Sequence, residues 1–127
     1  MALKETYVSN LARVPPRIRI FVMRHRGLDA LAPPEDLFRE FKDREAALKK
    51  SGVDPVDAHN QAWDDVRYEE RFGASFWANP AAMKELGDVE RLSRSEDVFL
   101  VCYEKPPKKC HRFLLLAYAR KLADAGG

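Results

Sequence analysis

The sequence predicts an α/β fold, a small, mostly parallel sheet of three or four strands packed with about four helices, in a single domain spanning residues 1–127. Three observations predict it. Val98-Phe99-Leu100-Val101 is a run without polar alternation, the pattern of a strand buried on both faces at the centre of a parallel sheet. Segments with helical periodicity fill the chain between this run and an earlier strand, and another follows it, so strand, helices, strand and helix succeed one another. A chain of 127 residues is one domain's worth and buries roughly two-thirds of its unfolded surface, enough for a core of its own.

In chain order, Thr6, Tyr7 and Val8 fall in a window, 4–10, that reads as an edge strand or an irregular arm. Pro15-Pro16 ends whatever precedes it. Residues 17–23, Arg-Ile-Arg-Ile-Phe-Val-Met, alternate before turning wholly apolar, as a strand entering a core does. It runs into Arg24-His25-Arg26-Gly27, three side chains able to carry positive charge and a glycine that lets the chain turn. After the extended connector 28–34, residues 35–50 predict a helix with Leu37, Phe38, Phe41 and Leu48 on one face, acids early and Lys49-Lys50 late. Asp54-Pro55 is a cap and an N1 proline, and Val56, His59, Trp63 and Val66 carry that helix to about Phe72. His59 reads as a hydrogen-bonded packing histidine. A break is expected over 73–78, with Phe76 and Trp77 packed over the core. Asn79-Pro80 then opens a helix with Met83, Leu86, Val89 and Leu92 on one face, ending near Ser93. The last helix runs from Cys110 or His111 to about Ala123, ahead of a frayed Gly126-Gly127 tail.

Composition excludes several classes. The chain is 46% hydrophobic and 33% charged, and no apolar run approaches the roughly 20 residues a membrane span needs. Lys4 and Glu5 stand where a signal peptide would place its apolar core, so a cytoplasmic location is expected. A net charge of +2 gives no global basic field, which disfavours a nucleic-acid module built on Arg13, Arg17, Arg19, Arg24 and Arg26. Two cysteines are too few for a disulfide scaffold. Cys102 reads first as a small buried hydrophobe. The excess of Arg over Lys and the eight prolines are a compositional hint of a heat-adapted source, where a Cys102 to Cys110 bridge would be permissible.

Chemistry concentrates after the last strand. In parallel sheets ligands bind outside the carboxyl ends of the strands, and two stretches meet that condition, 24–26 and 104–112. Cys110 stands at a helix N-terminus, where unpaired N–H groups and the macrodipole favour an anion, with Lys108, Lys109, His111 and Arg112 around it. A thiol so placed ionises below its free value of about 8.5. The candidate catalytic residues are Cys110, His111 and Glu104, the last able to accept a proton, orient Arg112 or pair with Arg24. Arg112, Arg24, Lys108 and Lys109 are the candidate ligand-binding residues, for a small anionic ligand such as a phosphate. Cys102, Cys110 and His111 match no recognised zinc spacing, so neither metal nor cofactor is expected. The alternative is a non-catalytic binding or structural domain in which Arg112 and Glu104 tie the last strand to the last helix.

Cys-Tyr-Glu-Lys-Pro at 102–106, a short gap and Cys-His-Arg at 110–112 resemble the signature of an uncharacterised family catalogued as domain of unknown function 488. The resemblance extends over most of the chain: the Tyr/Ser/Asn segment near the N-terminus, a strand ending in Arg24, the Leu31-Ala32-Pro33 connector and the Tyr-x-x-Arg element from Tyr68 to Arg71. It implies a compact α/β domain of prokaryotic origin, without an agreed activity, with Cys102, Glu104, Cys110, His111 and Arg112 as its characteristic positions. Phe-Val-Met-Arg-His-Arg stands where the family more often shows a small polar residue before its arginine, which leaves His25 and Arg26 outside the family pattern.

Overall fold

Val98 to Cys102, five consecutive buried residues, form the strand about which the molecule is built. The computed structural model describes residues 2–14, 18–23 and 26–126, so the predictions made for Pro15-Pro16, Arg17, Arg24, His25 and Gly127 lie outside the described residues. Strand β1 (Leu3–Tyr7) leads into a 3-10 turn over Val8–Arg13, followed by β2 (Ile18–Met23), the two-residue β3 (Arg26–Gly27) and a second 3-10 turn at Asp29–Leu31. Helices α1 (Glu35–Lys50), α2 (Pro55–Asp65), α3 (Tyr68–Trp77) and α4 (Pro80–Ser93) precede β4 (Val98–Cys102), and α5 (His111–Ala125) closes the order. The α/β class is as expected, with five α-helices where about four were predicted. None of the described helices is long and apolar enough to cross a membrane.

The sheet order is β1-β4-β2-β3. β4 pairs in parallel with β1 on one side and β2 on the other, so its unalternated apolar run occupies the centre as its composition demands. The register sets Cys102 beside Tyr7 and Val101 beside Phe21, which brings the carboxyl ends of three strands to one end of the sheet. β3 folds back antiparallel on β2, pairing Gly27 with Val22. Gly27 has φ +100°, and a Cβ there would lie 1.9 Å from the Phe21 carbonyl oxygen, so the turn requires glycine.

Helices α2 and α4 begin where cap and proline coincide. Asp54 Oδ2 accepts the N–H groups of Val56 (3.1 Å) and Asp57 (3.4 Å), and Asn79 Oδ1 those of Ala81 (3.1 Å) and Ala82 (3.3 Å). Asp54→Ala is expected to cost about 1 kcal/mol, read as a lower urea midpoint at unchanged slope.

The helix expected to continue to Phe72 instead stops at Asp65, and α3 restarts at Tyr68. Arg67 between them is left-handed (φ 56°, ψ 47°), a conformation that costs a non-glycine residue roughly 1–2 kcal/mol. The phase change brings Trp63 and Tyr68, five positions apart, into a ring stack at 3.9 Å and 12°, and burial of the aromatic cluster offsets the local cost. The break expected over 73–78 is absent. Tyr68, Phe72 and Phe76 continue one buried helical stripe, and Phe76 packs against Tyr118 at 5.0 Å. Gly73 marks a close approach and no interruption, since a Cβ there would lie 2.8 Å from the Tyr118 hydroxyl.

Candidate functional site

Cys102 ends β4 and Cys110 is the N-cap of α5, so the turn between them folds two thiols toward one imidazole. Cys102, Cys110 and His111 are all buried. Their sulfur atoms and a ring nitrogen lie within 4.8 Å of one another. His111 Nδ1 is 3.7 Å from Cys110 Sγ and 3.7 Å from Cys102 Sγ. Nε2 of the same ring is 2.8 Å from the Val22 carbonyl oxygen. A carbonyl only accepts, so Nε2 carries a proton and donates it, which leaves Nδ1 as the nitrogen that exchanges a proton with the sulfurs.

The two thiols are driven apart in acidity. Burial opposes ionisation of Cys110, but the hydrogen bond from Cys102, the charge and hydrogen bond of His111 and the main-chain N–H of Arg112 outweigh it and hold the thiol well below its ordinary value. Cys110 closes no capping bond of ordinary geometry, and the Arg112 N–H acts as a nearby dipole. Cys102 moves the other way: donating to Cys110, burial and the adjoining Cys110 charge all raise it, against the lowering influence of Arg112. Of the pair, Cys110 ionises first.

The thiols open onto a cleft of about 740 Å³, a volume suited to a small organic molecule. Cys110, Cys102 and His111 line it together with Phe38, Trp63 and Tyr68, and Lys42 and Glu104 bring charge to its wall. The Glu104 carboxylate lies 3.8 Å from Lys42 Nζ, 3.9 Å from His59 Nδ1 and 3.9 Å from Lys108 Nζ. Lys109 lines the cleft and pairs with Asp64 at 2.9 Å. Lys108 is not among the lining residues.

Arg112 takes a different place from the cleft wall. It is 0% exposed, donates from Nε to Glu5 Oε1 and from Nη1 to the Glu104 carbonyl oxygen, both at 2.8 Å, and is not among the lining residues. It therefore ties β1, the turn after β4 and α5 together. Glu104 serves it through main chain, while the carboxylate partner is Glu5, to which the sequence assigns no part in the site. Arg24, the other expected guanidinium, lies outside the described residues.

Helix α2 fixes the turn from the far side. His59 is buried, with Nδ1 2.9 Å from Glu45 Oε2 and Nε2 2.7 Å from the Lys109 carbonyl oxygen. Asn60 adds a reciprocal pair, Nδ2 to the Pro107 carbonyl (3.3 Å) and the Lys109 N–H to Oδ1 (2.9 Å). His59 is thus the hydrogen-bonded packing histidine that was expected, and what it holds is the residue immediately before Cys110. Glu45 and Asn60 were missed, because their roles depend on a turn about fifty positions away.

A soft cation could draw on the two sulfurs and Nδ1 as donors. Cys102 Sγ is 3.7 Å from both ring nitrogens, however, so it does not lie on the Nδ1 side where a metal bound to Nδ1 would need it. The described arrangement suits proton exchange among the three groups.

The family model for DUF488-N3a, described as the active DUF488-N3 subclade, matches residues 12–122. The chain belongs to the DUF488 family. No curated protein and no solved structure matches it. In this DUF488 chain the matched segment contains both cysteines, the imidazole and the whole α2 clamp, while Glu5, the partner of Arg112, precedes it.

Proposed function

We propose that this DUF488 protein is a thiol enzyme in which Cys110, as the thiolate, attacks an electrophilic centre of a small ligand seated in the cleft. The observation that carries this reading is the Cys110–His111 contact at the cleft, with Nε2 fixed on the Val22 carbonyl and Nδ1 turned to the sulfur. His111 holds the proton the thiol gives up. Glu104, on the cleft wall, is the candidate proton acceptor for the rest of the reaction, and the α2 clamp keeps Cys110 at the tip of α5.

Alkylation with iodoacetamide, followed residue by residue by mass spectrometry, tests it. Because the thiolate is the reactive form and its acidity is raised, the Cys110 rate is expected to reach its plateau at lower pH than a free thiol, whose titration is centred near about 8.5. His111→Ala should shift that profile upward. A Cys110 profile centred at about 8.5 or above would remove the nucleophile.

A second reading, an oxyanion site for a phosphate-like ligand at the start of α5, is favoured by one observation: Arg112 Nη2 is buried without a hydrogen-bond partner. On that reading inorganic phosphate or vanadate slows Cys110 alkylation in a saturable manner. An unchanged rate would end this reading and leave the thiol enzyme standing.

A further inference from the structure

We infer that Cys102 is the second thiol of a reversible dithiol/disulfide pair, and that the substrate class of the cleft is a sulfur electrophile, a small organic disulfide. This rests on the reading of Cys110 as the attacking group and goes beyond it, because phosphoryl or acyl transfer has no use for a second thiol.

The placement of Cys102 carries the inference. As a hydrophobe at the end of β4 its sulfur would meet hydrocarbon, yet it lies 3.7 Å from both nitrogens of the imidazole that serves Cys110 and within 4.8 Å of the Cys110 sulfur. The two cysteines are the only ones in the chain, they come from different elements, and the turn 103–109 brings them to one point. That turn is held to α2 by hydrogen bonds at Pro107 and Lys109, so closing the gap between the two sulfurs falls mainly to rotation of the two side chains and leaves the sheet in place. A disulfide needs an S–S distance of about 2.05 Å, which the pair reaches by side-chain rotation and a small shift of this turn. The difference in acidity assigns the order: Cys110 is ionised and attacks first, while Cys102 waits as the thiol.

The chemistry balances in two exchanges. The Cys110 thiolate attacks one sulfur of the substrate; a bond forms between Cys110 Sγ and that sulfur, the substrate S–S bond breaks, and the first thiolate leaves with the proton held on His111 Nδ1, which frees that nitrogen. Cys102, turned toward the freed Nδ1 by the same side-chain rotation that closes the pair, then gives its proton to that nitrogen and attacks Cys110 Sγ. The protein S–S bond forms, the mixed disulfide breaks, and the second thiolate leaves with the proton from His111. The substrate is reduced by two electrons to two thiols, and the two protein thiols are oxidised to a disulfide. An external dithiol reductant returns the protein to its starting state by the reverse exchanges.

The test uses the whole chain, fully reduced and freed of reductant, with 5,5′-dithiobis(2-nitrobenzoate) as the disulfide probe. Wild type is expected to release two equivalents of the coloured thiolate, lose the mass of two hydrogens, and yield a tryptic peptide pair linking Cys102 to Cys110, since trypsin cuts between them at Lys109. Cys102→Ser is expected to release one equivalent and keep the probe on Cys110. If wild type also stops at one equivalent with the probe retained on Cys110, Cys102 does not resolve and this inference falls while the Cys110 nucleophile stands. If folded wild type releases no coloured thiolate and Cys110 stays a free thiol, the thiol-enzyme reading itself falls. The wild-type peptide map decides even if Cys102→Ser folds poorly.

Discussion

Arg112→Met is expected to lower stability by about 3 kcal/mol, measured as a fall in the urea unfolding midpoint at unchanged slope. The methionine keeps the unbranched stem and deletes the charge and its donors. What remains is the Glu5 carboxylate and the Glu104 carbonyl oxygen, each having lost a 2.8 Å partner supplied by a guanidinium that is itself fully buried. Breaking a buried ion pair from one side costs about 3–5 kcal/mol, because the other charge is left without compensation. Glu5 keeps 27% of its side-chain exposure, which lets water take part of the load and places the expectation at the low end. The guanidinium also lies over the Phe113 ring at 4.4 Å, a contact that methionine replaces in part. Adding Glu5→Gln to Arg112→Met removes the stranded charge and should restore part of the loss, a coupling that a double-mutant cycle reads directly. A loss below about 1 kcal/mol, the scale of an exposed pair, would show that Arg112 contributes no more than surface charge does.

The same residue shows where reading the chain in one dimension stops. Arg112 stands out in the sequence because it adjoins Cys110-His111, and it reads there as a ligand-binding residue; in the structure it is off the cleft wall, bonded to Glu5 and to the Glu104 carbonyl. Its partner Glu5 lies 107 positions earlier, on a strand that only the parallel pairing with β4 brings alongside. The central strand and the two cap-and-proline helix starts were legible because their signals are local: an apolar run without alternation, and an oxygen acceptor just before a proline. Arg67 carries no such signal, since nothing in an arginine announces a left-handed backbone, and the phase shift it permits is driven by Trp63 stacking on Tyr68. Gly73 misled for the complementary reason, as the Tyr118 hydroxyl that demands it arrives from α5. At the site, adjacency in sequence exposed Cys110, His111 and Glu104. Cys102 was legible as buried, but the direction of its sulfur depends on how the turn 103–109 closes, and the α2 clamp on that turn is invisible until α2 and the turn meet.

That clamp is where the largest loss is expected. His59→Ala should destabilise the chain by about 3–5 kcal/mol at neutral pH, because it empties a fully buried ring site and leaves the Lys109 carbonyl without its donor. It also takes the 2.9 Å partner from a buried Glu45 carboxylate that keeps Lys42 at 3.3 Å and Lys49 at 3.9 Å. Both ring nitrogens of His59 face acceptors, and Glu45 is held below the usual carboxylate value: burial pushes it up, but the Lys42 charge and then the His59 hydrogen bond and charge outweigh that. A carboxyl whose folded value is lowered contributes stability that is fully present above its unfolded value, near 4.5, and that is lost as pH falls through the folded value. Removing His59 removes part of that lowering, so the variant should begin to lose stability at higher pH than wild type. The gap between the two should be widest at neutral pH and narrow below about pH 4.5, where a protonated Glu45 no longer carries a charge that needs the His59 partner. Urea unfolding across that range reads both effects, and Cys110 alkylation on the still-folded variant reads the positional one, expected to slow as the residue before the thiol loses its anchor. A pH-independent difference would locate the cost in lost ring packing against Phe41, whose centroid is 4.9 Å away, and would remove the charge argument for Glu45.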